Sequence, residues 1–363
     1  MSNATMQKSG EALREGVEKA LSERLTVDFW HTLESGDEAS TFDQSLWQEL
    51  EAFGLTSLLN SAAKGGAQAS LLEAHGALEA LSRLAVPSPA AETMMANWCA
   101  ERAGLRAPPG ALSLAPVNPQ QRLTLNRAAS GYSLCGQLTG VPFARHCKAI
   151  IVQAELAGEM MLCSVPLSPT AGVTLTESHG LNGEARDTLT LDLALNREQV
   201  APLQGADLIT VGAAMRAVQM ANANAAAMEL SIEYVRERQQ FGRPLAKFQA
   251  IQQQLAVMAA QSTAATVAAR RAFIALDSAE PFFAVAAAKV AVGQAASQGA
   301  AIAHQVHGAM GFTAEYGLHR FTRRLWTWRE EFGNEAWWAQ RLGQHVASAG
   351  ADALWPMLVA EQA

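Results

Sequence analysis

Three long helical patterns run almost without interruption from residue 206 to residue 308, and they constrain the fold more than any other feature. Apolar positions recur at spacings of three and four through 206–238, 247–277 and 282–308, punctuated by Gly242, Pro244 and Pro281. Helices so long and so poor in charge must bury their apolar faces against one another, as in a bundle. The most membrane-like run, 282–303, is broken by Lys289, Gln294, Ser297 and Gln298. A spanning helix needs about 20 mostly apolar residues, so this run reads as a buried bundle helix. Shorter helical patterns follow at 316–329 and 335–348.

Upstream the texture differs. Helical periodicity occupies 11–22, 42–53, 69–85 and 90–103. From about residue 105, short alternating runs appear at 112–115, 122–125, 132–138, 149–154, 159–165, 173–177 and 188–193, separated by Gly, Pro and Asn. These predict antiparallel strands in a sandwich or barrel. The expected class is α+β in three domains: a helical domain over 1–105, a middle β domain over 106–205, and a helical bundle over 206–363.

Composition narrows the function. With 363 residues, 49% hydrophobic and 17% charged, the chain can bury a large core and is not mainly disordered. A net charge of -7 argues against a broad nucleic-acid surface. Cys99, Cys135, Cys147 and Cys163 are scattered without a CxxC pair, so neither a disulfide scaffold nor a metal site is expected. The N-terminus lacks a basic-then-apolar layout, which predicts a cytoplasmic protein with reduced thiols.

Two segments carry chemistry. The first, at 234–258, places Arg238 where one long helix ends, then a turn with Phe241, Gly242 and Pro244, then Gln249 as the next helix begins. Arg238 could cap helix carbonyls or reach an anion. The second, at 304–316, holds His304, Gln305, His307, Gly308 and Gly311. Its glycines permit close backbone approach to a flat or phosphorylated ligand. The two histidines lie three apart, but no third ligand is nearby, so a packed or ligand-contacting His307 is favoured over a metal site. Arg320, Arg323, Arg324 and Arg329, around Trp326 and Trp328, read as a charged helix face rather than a nucleic-acid patch.

The pattern RxxFGxPLxxFQxIQxxLAxM at 238–258, followed by QxHGxxGFTxEYxLxR at 305–320, closely resembles the acyl-CoA dehydrogenase family. The order helices, β domain, four-helix bundle is similar too. The resemblance implies FAD as cofactor and oxidation of an acyl-CoA thioester to the trans-2-enoyl-CoA. It further implies an electron-transfer flavoprotein as acceptor and a carboxylate base in a dry pocket. By the same resemblance Arg238 would reach the FAD pyrophosphate of a neighbouring subunit. Phe241 would lie at the flavin end or adenosine, Gln249 at the adenine side, and Gln305 and Gly308 along the dinucleotide. Ala309 stands where many relatives have a second glycine. A shared site implies an oligomer, either a homo-tetramer or a hetero-oligomer with a second acyl-CoA dehydrogenase subunit.

The resemblance weakens at the base. One family position for the glutamate corresponds to Gly212, and the other aligns with Phe332. Glu331, one residue early, is the candidate base, with Glu330 the fallback and Glu335 next. In the middle domain Gly140 replaces the family tryptophan, Pro142 the following threonine, and 111–120 lacks the Gly/Ser-rich flavin loop. Two readings therefore stand: a self-sufficient FAD-dependent dehydrogenase, and a partner subunit that contributes pyrophosphate contacts but no base. Heteromers of the second kind resemble those described for bacterial degradation of steroid side chains. A third reading, a relative that binds no FAD, is disfavoured by the retained Arg238 and Gln305.

Overall fold

The computed structural model of the protein describes residues 3–35, 42–167 and 170–359. Among the described residues five α-helices come first: α1 (Asn3–Arg24), α2 (Val27–Glu34), α3 (Gln44–Ala52), α4 (Leu71–Arg83) and α5 (Ala90–Arg102). Their starts are written locally. Ser70 opens α4 with a reciprocal cap, its hydroxyl accepting from the Glu73 amide (3.3 Å) while the Glu73 carboxylate accepts from the Ser70 amide (2.9 Å).

Eight strands follow: β1 (Leu112–Ala115), β2 (Thr124–Ala128), β3 (Gly131–Pro142), β4 (Ala149–Leu156), β5 (Glu159–Pro166), β6 (Val173–Thr176), β7 (Arg186–Leu195) and β8 (Val200–Pro202). They form one sheet in the order β6-β7-β3-β2-β4-β5-β8, with β1 beside β4. Along β7 the buried and exposed residues alternate, as a one-faced strand requires. The sheet is mostly antiparallel, but β1 and β2 run parallel to β4, a departure from the all-antiparallel expectation. The β2–β3 hairpin intervenes between them and β4, so no tight turn dictates their direction. Between Leu138 and Val141 the β3–β7 register shifts, and Gly140 there takes a φ of 71°. This bulge turns Thr139 and Gly140 toward the helices.

The last part is α6 (Leu208–Glu237), a short hairpin of β9 (Gln239–Gln240) and β10 (Arg243–Pro244), then α7 (Gln249–Ala275) and α8 (Phe282–His307). It closes with α9 (Leu318–Glu330), α10 (Glu335–Ala349) and α11 (Leu354–Val359). Asp207 caps α6 by accepting from the Thr210 amide at 2.7 Å. α6 packs against α4, α7, α8 and α9, and almost every residue from Leu208 to Ala227 is buried. One apolar core runs from α1 and α3–α5 through β1 into α6 and α8, while the sheet closes over a second. The turn between α9 and α10 is thereby pressed against both the sheet and α6. Among the described residues no helix is long and apolar enough to cross a membrane.

Candidate functional site

The motif residues gather in two places. At one end of the bundle, Arg238 follows the last turn of α6, and its amide returns to the Tyr234 carbonyl at 2.8 Å. Its exposed guanidinium has no ion pair or hydrogen bond among the described residues, so it is available to an anion. The β9–β10 hairpin then projects Phe241, which is 92% exposed at a φ of 52°. A non-glycine residue in this region costs about 1–3 kcal/mol, and the hairpin turn imposes it. Gln249 is exposed at the start of α7. Gln305 is exposed near the end of α8, and Gly308 follows that helix with φ 58° and ψ -136°. That combination is open in practice only to glycine. A Cβ at Gly308 would meet nothing within 4 Å, so the backbone can be approached closely. An unpaired guanidinium, a free amide and a bare backbone turn suit the diphosphate of a dinucleotide.

The second place is the α9–α10 turn. Glu331 is buried at 6% exposure, and both its oxygens are taken. Arg186 Nε donates to one at 2.6 Å and Arg216 Nε to the other at 2.6 Å. Burial pushes this carboxyl up, but the two guanidinium groups outweigh burial and hold it below the ordinary carboxylate range. The network continues outward. Arg216 also pairs with Glu92 (2.7 Å), Arg186 with Glu184 (3.1 Å), and Arg324 with Glu184 (2.8 Å). Lys289 Nζ donates to the carbonyls of Trp328 (3.3 Å), Arg329 (3.3 Å) and Glu331 (2.9 Å), closing the C-terminus of α9. Burial brings this amine down to about 7, although Glu331 pulls it upward.

Phe332 comes next and is fully buried at a φ of 55°. Its amide donates to the Val117 carbonyl (2.7 Å), and its own carbonyl accepts from Trp338 Nε1 (2.9 Å). The ring lies directly on Gly212, where a Cβ would come within 2.2 Å of it. The two positions that could have carried a base by resemblance thus touch each other as ring and glycine. Glu330 is exposed and accepts from Asn334 Nδ2 at 3.0 Å, while Glu335 pairs with Arg329 Nε at 2.7 Å.

A cavity of about 450 Å³ separates this turn from the sheet, lined by Asn118, Thr139, Gly140, Arg186, Glu330 and Trp337 among others. Its loop and bulge are the stretches that lack the flavin-gripping residues. Gly140 leaves the sheet side of this cavity without a tryptophan, and of its two lining carboxylates Glu331 is paired on both oxygens while Glu330 accepts from Asn334.

Other motif residues turn inward. His304 Nε2 meets Thr322 Oγ1 at 3.0 Å, whereas His307 Nδ1 donates to the Ala303 carbonyl at 2.7 Å, so the two rings serve different partners. Arg320 pairs with Glu34 (2.9 Å) and stacks over Trp30, Arg323 donates to the Leu181 carbonyl, and Arg324 is buried. The basic cluster is largely spent inside the molecule. Sequence reasoning did not single out Arg186, Arg216 or Glu92. The available signal was a lone charge inside an apolar helical run, as at Arg216 and Lys289.

Residues 206–346 match the family model "Acyl-CoA dehydrogenase, C-terminal domain". Over 113 residues the chain is 39% identical to the 3-sulfinopropanoyl-CoA desulfinase of Paraburkholderia xenovorans, covering 31% of this chain and 28% of that protein. Over 285 residues it is 27% identical to acyl-CoA dehydrogenase IpdE2 of Mycobacterium tuberculosis, covering 78% and 80%. Its fold is similar to that of a chain in the ChsE4-ChsE5 complex from Mycobacterium tuberculosis. There the TM-score is 0.86 at 21% identity, over 94% of this chain and 98% of the other.

Proposed function

We propose that the chain is a member of the acyl-CoA dehydrogenase family, an FAD-dependent family of oxidoreductases acting on acyl-CoA, and that within it this chain is a partner subunit. It contributes dinucleotide contacts to a flavin whose ring site and base belong to a second acyl-CoA dehydrogenase subunit. One observation carries this reading: Glu331 is committed on both oxygens to Arg186 and Arg216, while Phe332 seals Gly212. A base must be free to take a proton and must hold it near working pH. A carboxylate kept ionised between two arginines does neither. Glu331 acts instead as the anion that holds the sheet, α6 and the α9–α10 turn together.

When bound, FAD supplies the hydride acceptor for oxidation of an acyl-CoA to the trans-2-enoyl-CoA, with an electron-transfer flavoprotein as the onward acceptor. The residues of this chain do the binding. Arg238 neutralises the diphosphate, Gln305 and the Gly308 backbone approach it from α8, and Phe241 and Gln249 flank the adenosine side. The likeness to a chain of the ChsE4-ChsE5 complex supports a heteromeric assembly.

The experiment is a visible spectrum. Purified alone, the chain is expected to be colourless. Co-expressed with a second acyl-CoA dehydrogenase subunit, it is expected to co-purify as a yellow assembly that an acyl-CoA bleaches. A yellow chain bleached by acyl-CoA without any partner would overturn this reading and return the catalytic role to Glu331 or Glu330.

A further inference from the structure

Arg238 and Gln305 stand on different helices, so their shared use depends on how the ends of α6 and α8 are tied. The tie is aromatic. His307, the last residue of α8, is 3% exposed and stacks on Tyr234 of α6, with ring centroids 4.5 Å apart and planes 28° from parallel. It also meets Tyr316 at 4.9 Å, tilted by 55°, and the two tyrosines meet edge-on at 5.7 Å, so the three rings form a triangle. Hydrogen bonds fix the cluster to both helices. His307 Nδ1 donates to the Ala303 carbonyl of α8 at 2.7 Å, and the Tyr316 hydroxyl donates to the Leu230 carbonyl of α6 at 3.3 Å. Tyr234 lies one helical turn before Arg238 and accepts its amide, while His307 immediately precedes Gly308.

We infer that His307 is a positioning residue for the dinucleotide: packed in one aromatic triangle with Tyr234 and Tyr316, it holds the Arg238 end of α6 against the Gln305–Gly308 end of α8, so both face one diphosphate. This inference rests on the proposed diphosphate role of Arg238, Gln305 and Gly308. Burial holds the imidazole below its ordinary pKa, so the ring at neutral pH contributes shape and stacking rather than charge.

The test is an FAD titration, followed by flavin fluorescence, of the assembly formed with the second subunit. The comparison includes wild type, His307→Ala, His307→Phe, Arg238→Ala, and His307→Ala combined with Arg238→Ala. Losing the stack should weaken FAD binding about tenfold, whereas phenylalanine, which keeps the ring, should stay within about twofold of wild type. In the Arg238→Ala background, His307→Ala should cost little more, because the group it positions is gone. Full additivity, or a phenylalanine variant as weak as the alanine one, would overturn the inference. Amide exchange of the isolated chain decides the coupling without any ligand. His307→Ala should speed exchange at residues 238–242 on the far helix, and unchanged exchange there counts against the clamp. If the wild-type assembly fails to bind FAD, the function reading falls and the exchange result alone judges the clamp.

Discussion

At the residue scale, one carboxylate separates the two readings of this chain. If Glu331 is a structural anion, Glu331→Gln leaves Arg186 and Arg216 buried without their shared partner. Breaking such a pair costs about 3–5 kcal/mol, and urea unfolding should show a loss of that size. A catalytic base would lose activity on that change with little loss of stability. The pH dependence has a definite sign. Glu331 binds its proton more weakly when folded than its ordinary value near 4.5, so its contribution is complete above about that pH and lost as the pH falls below it. Lys289 works at the other end. Its folded value is about 7 against an ordinary 10.5, so between these values the unfolded chain holds more protons and stability should rise with pH. Urea midpoints measured from pH 7 to 10 should show that slope in wild type and lose it in Lys289→Met.

At the element scale, the close seat of Phe332 on Gly212 joins the α9–α10 turn to α6. Gly212→Ala should destabilise the chain by about 1–3 kcal/mol through overpacking, measured by thermal or urea unfolding. Most of that loss should disappear in a Phe332→Ala background, because the clash is with that ring. The α8 terminus offers a second test. Gly308→Ala forces a side chain into φ 58°, ψ -136°, which should cost about 1–3 kcal/mol and weaken FAD binding by the assembly. Legibility differed sharply among elements. The long bundle helices were readable because their period repeats over many turns, and the predicted 282–308 pattern meets a helix at Phe282–His307. The short α2 was not identified, since eight residues hold too few repeats for periodicity to stand out. The left-handed backbone of Phe332 was equally invisible, because a bulky residue there is imposed by its surroundings.

At the scale of the whole molecule, the proposed function separates the chain into a diphosphate-binding end at α6 and α8 and a turn at α9–α10 where Glu331 is spent on structure. Arg238 is exposed and has no side-chain partner among the described residues, while Glu331 is buried and paired on both oxygens. Replacing Arg238 by Ala in the co-purified assembly should therefore lower FAD content without unfolding the chain. Absorbance per protein and a thermal melt check the two parts together. The exposed Val257 and Val267 of α7, beside an apolar groove between α7 and α8, agree with a chain that works in an oligomer.

Sequence alone determined the order of helices, strands and helices, and placed Arg238, Phe241, Gln305 and Gly308 in recognisable motifs. Those features depend on periodicity and short spacing, which the linear chain carries in full. It also showed that glycine and phenylalanine stand where a base was expected. Only the tertiary structure decided what surrounds Glu331. Its partners, Arg186 and Arg216, lie 145 and 115 positions away, brought to it by the sheet and by α6. A carboxylate's chemistry depends on the charges within a few ångströms and on burial, and neither quantity is written in its neighbours along the chain.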